Sequence, residues 1–226
     1  MARSDSRDRI LDAAERLFAE KGLRATTLRE IGAAARANTG SIYFHFKAKD
    51  ELMREVFRRR LVPLDAERLV RLEACERAAA PEPPALRDVL EALIEPLLRL
   101  TRGGDGGGLH FLGVLGRTYS EPDKEVIRML QRDHGHTIER FHRALARALP
   151  ELPAEALRLR FHFALGSVAH TLGSDITWRM LSGRRPAASA WRRVLAELLP
   201  FLVAGFEAPV ASDAAEDARG AKRGAA

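Results

Sequence analysis

Residues 26–49 read TTLREIGAAARANTGSIYFHFKAK, and this stretch decides the fold that the sequence predicts. Thr27 is a favourable N-cap residue, and Glu30 stands three positions later, which is the spacing of a capping box. Leu28 and Ile31 then share one side of a helix. The stretch therefore predicts a short helix that begins at Thr27.

A second short helix is predicted to run to about Phe44, with Asn38 or Thr39 as its N-cap. Its Ile42, and Phe46 just beyond it, would point back toward the first helix. Two helices of about two turns that are joined so tightly must cross steeply, as in a helix-turn-helix unit. In that unit the second helix presents its N-terminal residues to base edges in the major groove of DNA.

Hydroxyl, imidazole and basic side chains occupy the outer side of this predicted helix pair, and such groups are typical phosphate contacts. Gly40 removes a side chain where the backbone would approach DNA. We expect Phe44 and Phe46 to be core residues rather than base-stacking groups. The alternative is a pair of ordinary core helices with a polar outer face. The residues predicted to contact DNA are Thr27, Arg29, Arg36, Thr39, Gly40, Ser41, Tyr43, His45 and Lys49.

Residues 40–52, GSIYFHFKAKDEL, resemble the recognition-helix signature of the tetracycline-repressor (TetR) family of bacterial transcription regulators. The likeness covers residues 7–56 in register. One position departs from it, because Arg36 stands at the turn where the family usually has glycine in a left-handed backbone. Arginine there costs roughly 1 kcal/mol if the geometry is kept. Either the turn differs, or Arg36 compensates by reaching a phosphate.

The composition of the 226 residues favours an all-α fold, because Ala, Leu, Arg and Glu dominate and alternating β-branched runs do not occur. We predict an N-terminal three-helix, helix-turn-helix DNA-binding domain over residues 1–50. A helical ligand-binding and dimerisation domain is predicted over residues 51–206, as the resemblance implies. Residues 207–226 have almost nothing to bury and are predicted to be a disordered tail.

Charge is distributed unevenly along the chain. Residues 1–60 hold 14 Lys and Arg against 9 Asp and Glu, whereas the whole chain has a net charge of only +6. The basic excess therefore lies with the predicted DNA-binding domain, residues 1–50, which is called the reader below. Cys75 is the only cysteine, which excludes an intramolecular disulfide or a cysteine-based zinc cluster. Without a signal peptide or a long apolar run, we expect a cytoplasmic protein with no membrane partner.

After residue 50, the spacing of apolar residues predicts further helices, and segments rich in proline or glycine separate them. Residues 81–84 are predicted to form a boundary or loop. The glycine-rich residues 103–108 are predicted to be a flexible connector, because no strand precedes them and no Gly-Lys-Ser/Thr follows. The predicted helices cover 6–21, 49–61 with continuation past Pro63 as far as Cys75, 86–102 kinked or divided at Pro96, 109–119, 123–149, 153–173, and 187–206 bent or interrupted near Pro200.

Dimerisation is expected because one helix-turn-helix unit makes too few base contacts, whereas two units read a palindromic operator. The most hydrophobic helices, 153–173 and 187–206, are predicted to pair with their symmetry mates in a four-helix interface. A monomeric core is the alternative explanation of their apolar surplus. The predicted interface residues are Phe161, Leu165, Val168, Trp191, Leu195 and Leu198.

The resemblance to the TetR family implies a repressor whose middle helices enclose a small-molecule pocket. We expect a small apolar ligand there to change the spacing of the two recognition helices and so release the protein from DNA. Ordinary core packing explains the same residues. Residues 110–117, 148–153 and 161–166 also look similar to the fatty-acid-responsive PsrA-like branch of the family, which implies a long-chain fatty acid or its coenzyme A ester as inducer. The predicted ligand residues are Phe111, Leu115, Phe141, Phe163 and Trp178, with His110 or His170 as the polar group.

Other classes of function have weaker support in the sequence. An enzyme is not expected, because no nucleophile motif and no HExxH spacing occurs, and no cofactor is predicted. A metal-responsive DNA-binding sensor stays open, since His134 and His142 share a helical face, as do His162 and His170. Neither pair has a carboxylate at an obvious ligand spacing, so no metal-binding or catalytic residue is predicted.

Overall fold

The computed structural model confirms the all-α prediction, since no strand occurs in the part of the chain that it describes. It describes residues 2–97, 100, 107–120, 123–173, 175–184, 186–187 and 190–211. The helices are α1 (Ala2–Lys21), α2 (Leu28–Ala35), α3 (Thr39–His45), α4 (Lys49–Ala79), α5 (Leu86–Ile94), α6 (Gly107–Ser120), α7 (Lys124–Ala148), α8 (Ala154–Gly173), α9 (Asp175–Ser182) and α10 (Trp191–Glu207).

Helix α1 supports the helix pair α2–α3, as its apolar spacing predicts. Ile10, Ala14 and Phe18 are fully buried on one side of α1, and they belong to the same core as Ile31 of α2 and Ile42 of α3. These three helices form the predicted N-terminal helix-turn-helix unit. Its core is therefore built from one face of each helix.

Helix α4 is a single helix of 31 residues that contains Pro63. It runs past Pro63, as expected, and ends at Ala79, four residues beyond the predicted limit at Cys75. Because α4 begins at Lys49, the predicted domain division after residue 50 falls within its first turn. That division stays a prediction.

In the middle of the chain, one predicted division is confirmed and one predicted connector was wrong in part. The helical region predicted over residues 86–102 is divided at Pro96, as expected: α5 ends at Ile94 because Pro96 removes a backbone donor, and residues 97 and 100 are again helical. Helix α6 begins at Gly107, so Gly107 and Gly108 are helical rather than part of a connector; the rest of that connector lies outside the described residues. A Cβ on Gly108 would lie 1.9 Å from the carbonyl oxygen of Leu100, which explains the glycine there.

Helices α6 and α8 approach each other at their backbones. A Cβ added to Gly116 of α6 would lie 2.6 Å from the Cα of Gly173, and one added to Gly173 would lie 2.5 Å from the Cα of Gly116. Only glycine fits on either side of such a crossing. The pair brings the end of α8 onto the middle of α6.

Helix α10 closes the domain against α5 and α8. It begins at Trp191 rather than at residue 187, and it continues without interruption through Pro200 to Glu207. Most of the predicted tail, residues 212–226, lies outside the described residues. Among the described helices, none combines the length and the apolar character that a membrane span requires.

Candidate nucleic-acid interface

The N-terminus of α2 has the predicted capping box. The Thr27 Oγ1 accepts a hydrogen bond from the Glu30 backbone N–H at 3.2 Å, and a Glu30 carboxylate oxygen accepts one from the Thr27 N–H at 2.8 Å. The pKa of Glu30 is lowered to about 2, first because Lys21 donates a hydrogen bond at 2.6 Å and then because Thr27 donates two. These contacts fix the start of α2 and keep a carboxylate at its positive end.

The turn between α2 and α3 keeps the left-handed geometry although it has no glycine at the expected position. Arg36 has φ 50° and ψ 43°, and its backbone N–H bonds to the Ala33 carbonyl oxygen. Gly32 makes the close approach possible instead, since a Cβ there would lie 2.8 Å from the Ala37 oxygen. Asn38 then caps α3, because its side chain accepts a bond from the Ser41 N–H at 2.7 Å.

Helix α3 has one face buried in the core and one face exposed to solvent. Ile42 is fully buried and Phe46, one turn later, is 1% exposed. Phe44 stands two residues from each of them, about 200° around the helix, and therefore points outward. Its ring is 64% exposed, so the expectation that Phe44 is a core residue was wrong, while that for Phe46 is confirmed. Tyr43 is 53% exposed beside it.

Most of the residues predicted to contact DNA lie on this outer surface of α2 and α3. Besides Thr27 in the capping box, two of the nine make side-chain hydrogen bonds to more distant parts of the chain. Ser41 Oγ lies 3.3 Å from Ser6 Oγ, and Lys49 Nζ donates a hydrogen bond to the Arg24 carbonyl oxygen at 3.0 Å. The pKa of Lys49 is lowered from its usual value, mainly by burial and then by repulsion from Arg24. The exposed members are Thr27, Arg29, Arg36, Thr39, Gly40 and Tyr43; Ser41, His45 and Lys49 are half-buried.

The buried carboxylate of Glu15 links the reader to α4. Glu15 of α1 is fully buried, and its carboxylate accepts hydrogen bonds from Arg59 at 2.7 Å and from Arg60 at 2.9 and 3.0 Å. Removing one partner from a buried ion pair leaves an uncompensated charge and costs about 3–5 kcal/mol. We call this group of three side chains the Glu15 clamp. Sequence reasoning missed it, because the paired residues are more than 40 positions apart.

Two further contacts join the C-terminal end of α1 and the turn that follows it to the second domain. The Arg117 guanidinium of α6 donates to the carbonyl oxygens of Ala19 and Glu20 at 3.0 and 3.2 Å. Arg24 forms an ion pair with Asp123, which also caps α7 by accepting bonds from two backbone N–H groups. The reader therefore touches α4, α6 and the start of α7 through charged groups.

The residues predicted to bind a ligand are separated in the structure. Phe111 of α6 and Phe141 of α7 are fully buried, and Phe111 packs edge-on against Phe57 with ring centroids 5.7 Å apart. Leu115 and Trp178 are half-buried. Phe163 is 61% exposed on α8, so it faces away from the interior that the prediction assigned to it.

The polar ligand candidates also lie apart. The His170 ring nitrogen Nε2 lies 2.9 Å from Thr177 Oγ1 on an exposed part of the chain. His110 lines a groove between the reader and α6. A separate cleft of about 180 Å³ lies between α5 and α10, and Arg192, Leu195 and Glu91 line it. None of the predicted ligand residues lines that cleft.

The predicted dimer residues are mostly internal to one chain. Trp191 is fully buried, so it belongs to the core of the chain and cannot contact a partner subunit. Phe161, Val168, Leu195 and Leu198 are also buried, and Leu165 is half-buried. The exposed apolar side chains on the same two helices are different ones: Leu159 and Phe163 on α8, and Phe201 on α10.

The histidines do not gather with other metal ligands. Among the described residues, no three His, Cys, Asp or Glu side chains are close enough to hold a metal ion. His134 instead makes a structural pair, since its Nδ1 lies 2.8 Å from a carboxylate oxygen of Asp65. The Arg68 guanidinium donates a hydrogen bond to the other carboxylate oxygen of Asp65 at 3.3 Å.

Comparisons with protein families match both parts of the chain. Residues 10–56 match the family described as bacterial regulatory proteins, tetR family. Residues 91–205 match the family described as tetracyclin repressor-like, C-terminal domain. A curated relative, the HTH-type transcriptional repressor KstR2 of Rhodococcus jostii, is 48% identical over 56 residues. That match covers 25% of this chain and only 28% of the relative.

Solved structures resemble the chain over most of its length. NalD, the secondary repressor of the MexAB-OprM multidrug efflux pump in Pseudomonas aeruginosa, gives a TM-score of 0.59 at 22% identity and covers 90% of this chain and 97% of that one. SmeT, the repressor of the Stenotrophomonas maltophilia efflux pump SmeDEF, was solved with triclosan. That complex gives a TM-score of 0.50 at 27% identity, with coverage of 79% and 81%.

Proposed function

Since this chain belongs to the TetR family of transcriptional regulators, we propose that it is a dimeric repressor that binds a palindromic operator and is released by a small apolar inducer. One observation carries the DNA-binding part of the proposal. Helix α3 buries Ile42 and Phe46 while Thr39, Gly40 and Tyr43 are exposed on its outer side. A recognition helix requires this division between a packed face and a reading face.

The operator can be found by selection from a random library of duplex DNA with the full chain. Binding to the selected site should then be measured by fluorescence anisotropy between 50 and 200 mM salt. We expect an affinity loss of about tenfold or more over that range, because phosphate contacts displace counterions. Failure to enrich any sequence, or an affinity that ignores salt, would overturn the proposal.

Two variants test the phosphate contacts within that assay. Tyr43→Phe and Lys49→Ala should weaken binding to selected and unselected DNA alike, because phosphate contacts carry no sequence information. Lys124→Ala is the matched control, since Lys124 is exposed at the start of α7 and outside the proposed surface. A loss in Lys124→Ala equal to that in Lys49→Ala would point to a general charge effect instead.

We place the inducer among α4, α6 and α7, where the aromatic rings of Phe57, Phe111 and Phe141 are fully buried. The triclosan bound to SmeT is an apolar molecule on a similar fold, which supports an apolar inducer here. The likeness of residues 110–117 to the fatty-acid-responsive branch makes a long-chain fatty acid or its coenzyme A ester our first choice. None of the observations favours the metal-responsive alternative.

The inducer proposal is tested by titrating oleate, oleoyl coenzyme A and triclosan, each below its micelle-forming concentration. At least one should lower operator affinity by about tenfold or more, which corresponds to about 1.4 kcal/mol of preference for one conformation. Trp178 and Trp191 pack edge-on at 6.4 Å and report on the second domain by their fluorescence. A panel without any effect on operator affinity contradicts the proposal.

The dimer is proposed to form through α8 and α10, with Leu159, Phe163 and Phe201 at its centre in place of the buried residues that the sequence suggested. These three side chains are exposed and apolar, and they lie on two helices that pack against each other. Such side chains usually mark an interaction surface when they cluster. The second subunit would cover them and set the distance between the two copies of α3.

A further inference from the structure

A phenyl ring stands exposed on the outer face of α3. The ring of Phe44 is 64% exposed. It contacts the His45 imidazole edge-on, with ring centroids 5.2 Å apart, and most of its surface still faces solvent. Because burying a phenyl ring is favourable, Phe44 gains free energy from any partner that covers it with apolar groups. The position of the ring on α3 indicates which partner that is.

The ring lies on the side of α3 that is opposite the core. At about 100° per residue, Gly40 and Phe44 lie about 160° and 200° around the helix from the buried Ile42. They are one turn apart and therefore adjacent on the helix surface. Outside the backbone of its own helix, a Cβ added to Gly40 would lie near the Asn38 side chain, at 3.4 Å. The missing side chain of Gly40 lets a second surface approach the Phe44 ring closely.

Polar side chains lie on both flanks of this central position. Thr39 and Tyr43 lie about 60° and 100° from Ile42 on one flank. Ser41 and His45 lie about 260° and 300° from it on the other flank. The walls of the major groove of DNA are phosphate backbones, and its floor is formed by the base edges. With the hydroxyl and imidazole groups toward the walls, the centre of the outer face lies against the floor.

Duplex DNA is the partner that the surroundings of this ring favour. Residues 1–60 hold 14 Lys and Arg against 9 Asp and Glu, so the domain that carries the ring attracts phosphates. Among residues 6–50, the large apolar side chains that are exposed are Tyr43 and Phe44 alone. A stable protein partner would require a wider apolar surface. The ring therefore suits a contact within a polar, basic interface.

The chemistry of a phenyl ring limits what it can read in the groove. Base-pair edges in the major groove carry hydrogen-bond donors, acceptors and one apolar group, the 5-methyl group of thymine. A phenyl ring placed on a donor or an acceptor removes water without replacing the hydrogen bond, which is unfavourable. We propose that Phe44 is a specificity-determining residue that packs against a thymine methyl group in each half of the operator. The inference rests on the proposed DNA-binding function and adds to it the base that this side chain selects.

The test uses the operator that the full chain selects from random duplex DNA. Each thymine of one half-site, together with its symmetry mate in the other, is replaced in turn by deoxyuridine, which lacks the methyl group and keeps the base pair. Fluorescence anisotropy at a fixed salt concentration measures binding. We expect one position at which the replacement weakens binding by about fifteenfold, because burying one methyl group is worth about fourfold in each half-site.

Phe44→Ala tests whether this side chain causes the difference. The variant should bind the thymine and deoxyuridine operators within about twofold of each other at that position. Because the ring is mostly exposed, the variant should fold, and thermal unfolding checks this. Tyr43→Phe is the matched control, since it removes a hydroxyl group from the neighbouring exposed ring. It should weaken binding to both operators and keep the full difference between them.

Two results would overturn the inference while the DNA-binding proposal stands. One is a selected operator in which no deoxyuridine replacement weakens binding, and the other is a thymine preference that Phe44→Ala retains. Loss of the same preference in Tyr43→Phe would assign it to the placement of α3 as a whole, which also overturns the inference. If the chain enriches no sequence, the proposed function fails and this inference fails with it.

Discussion

At the scale of single residues, Gly32 has no room for a side chain. A Cβ there would lie 2.8 Å from the Ala37 carbonyl oxygen and 3.3 Å from Ile42 Cδ1. Gly32→Ala should therefore push α3 away from α2 and lower the free energy of unfolding by about 1–3 kcal/mol. Urea denaturation measures this change, and operator affinity should fall with it.

Gly135→Ala is the matched control for that substitution. Gly135 also lies inside a helix, α7, but nothing stands within 4 Å of an added Cβ. Alanine should stabilise α7 by up to about 1 kcal/mol, because glycine is the weaker helix former. Equal destabilisation in the two variants would show that the crowding at Gly32 is not the cause.

Single residues also show what the sequence could and could not predict at the reading surface. The sequence left open whether the turn at Arg36 keeps the left-handed geometry, because the cost of that backbone does not show whether neighbouring residues allow it. The missing side chain of Gly32 leaves room for this turn, and that role depends on the close approach of the Ala37 carbonyl oxygen. Phe44 was placed in the core by its hydrophobicity, although its angular distance from Ile42 and Phe46 already indicated the outer face.

At the scale of secondary-structure elements, the start of α2 should depend on pH. The pKa of Glu30 is lowered from 4.5 to about 2, so its ionised form is favoured in the folded chain. This stabilisation is complete above about pH 4.5 and is lost as the pH falls toward 2. The difference in unfolding free energy between the parent chain and Glu30→Gln should shrink over that range. A difference that does not change with pH would contradict this assignment.

The crossing of α6 and α8 should be equally sensitive to added volume. Gly116→Ala places a methyl group 2.6 Å from the Cα of Gly173, and backbone atoms cannot move aside cheaply. We expect a loss of about 1–3 kcal/mol in thermal or urea unfolding. Gly166→Ala on α8 is the control, since nothing lies within 4 Å of its Cβ, and it should not destabilise the chain.

Local signals explain which elements could be predicted. The capping box of α2 and the end of α5 before Pro96 involve residues a few positions apart, and the sequence shows both. The Gly116–Gly173 crossing joins residues far apart in the chain, and no local pattern marks it. The start of α6 at Gly107 was missed because glycine normally weakens a helix, whereas here Gly108 allows the close approach to Leu100.

At the scale of the whole molecule, the proposed dimer makes a direct prediction. Phe163→Glu or Phe201→Glu should raise the dimer dissociation constant by about 100-fold or more, because each places a charge where an apolar contact is proposed. Sedimentation velocity at micromolar concentrations measures the shift toward monomer. Met180→Glu is the control, since Met180 is exposed on α9 rather than on α8 or α10. Parent chain that sediments as a monomer would remove the basis of this prediction.

The general plan of the molecule followed from the sequence, because the basic N-terminal unit and the apolar helices differ in composition. The choice of surface residues on α8 and α10 did not follow. Both helices are apolar on several sides, so their sequences do not distinguish the side that packs inward from the side left exposed. Trp191 and Phe163 illustrate the two results, since the first is fully buried and the second is exposed.

The Glu15 clamp has a mechanical consequence for how a signal reaches DNA. Arg59 and Arg60 tie α1 to the first three turns of α4, so the amino-terminal part of α4 should travel with the reader as one rigid body. Pro63 follows at once, and its missing N–H leaves the Arg59 carbonyl without its usual helical bond. We therefore expect α4 to bend beside Pro63, so that the reader and the first three turns of α4 would rotate together about this proline.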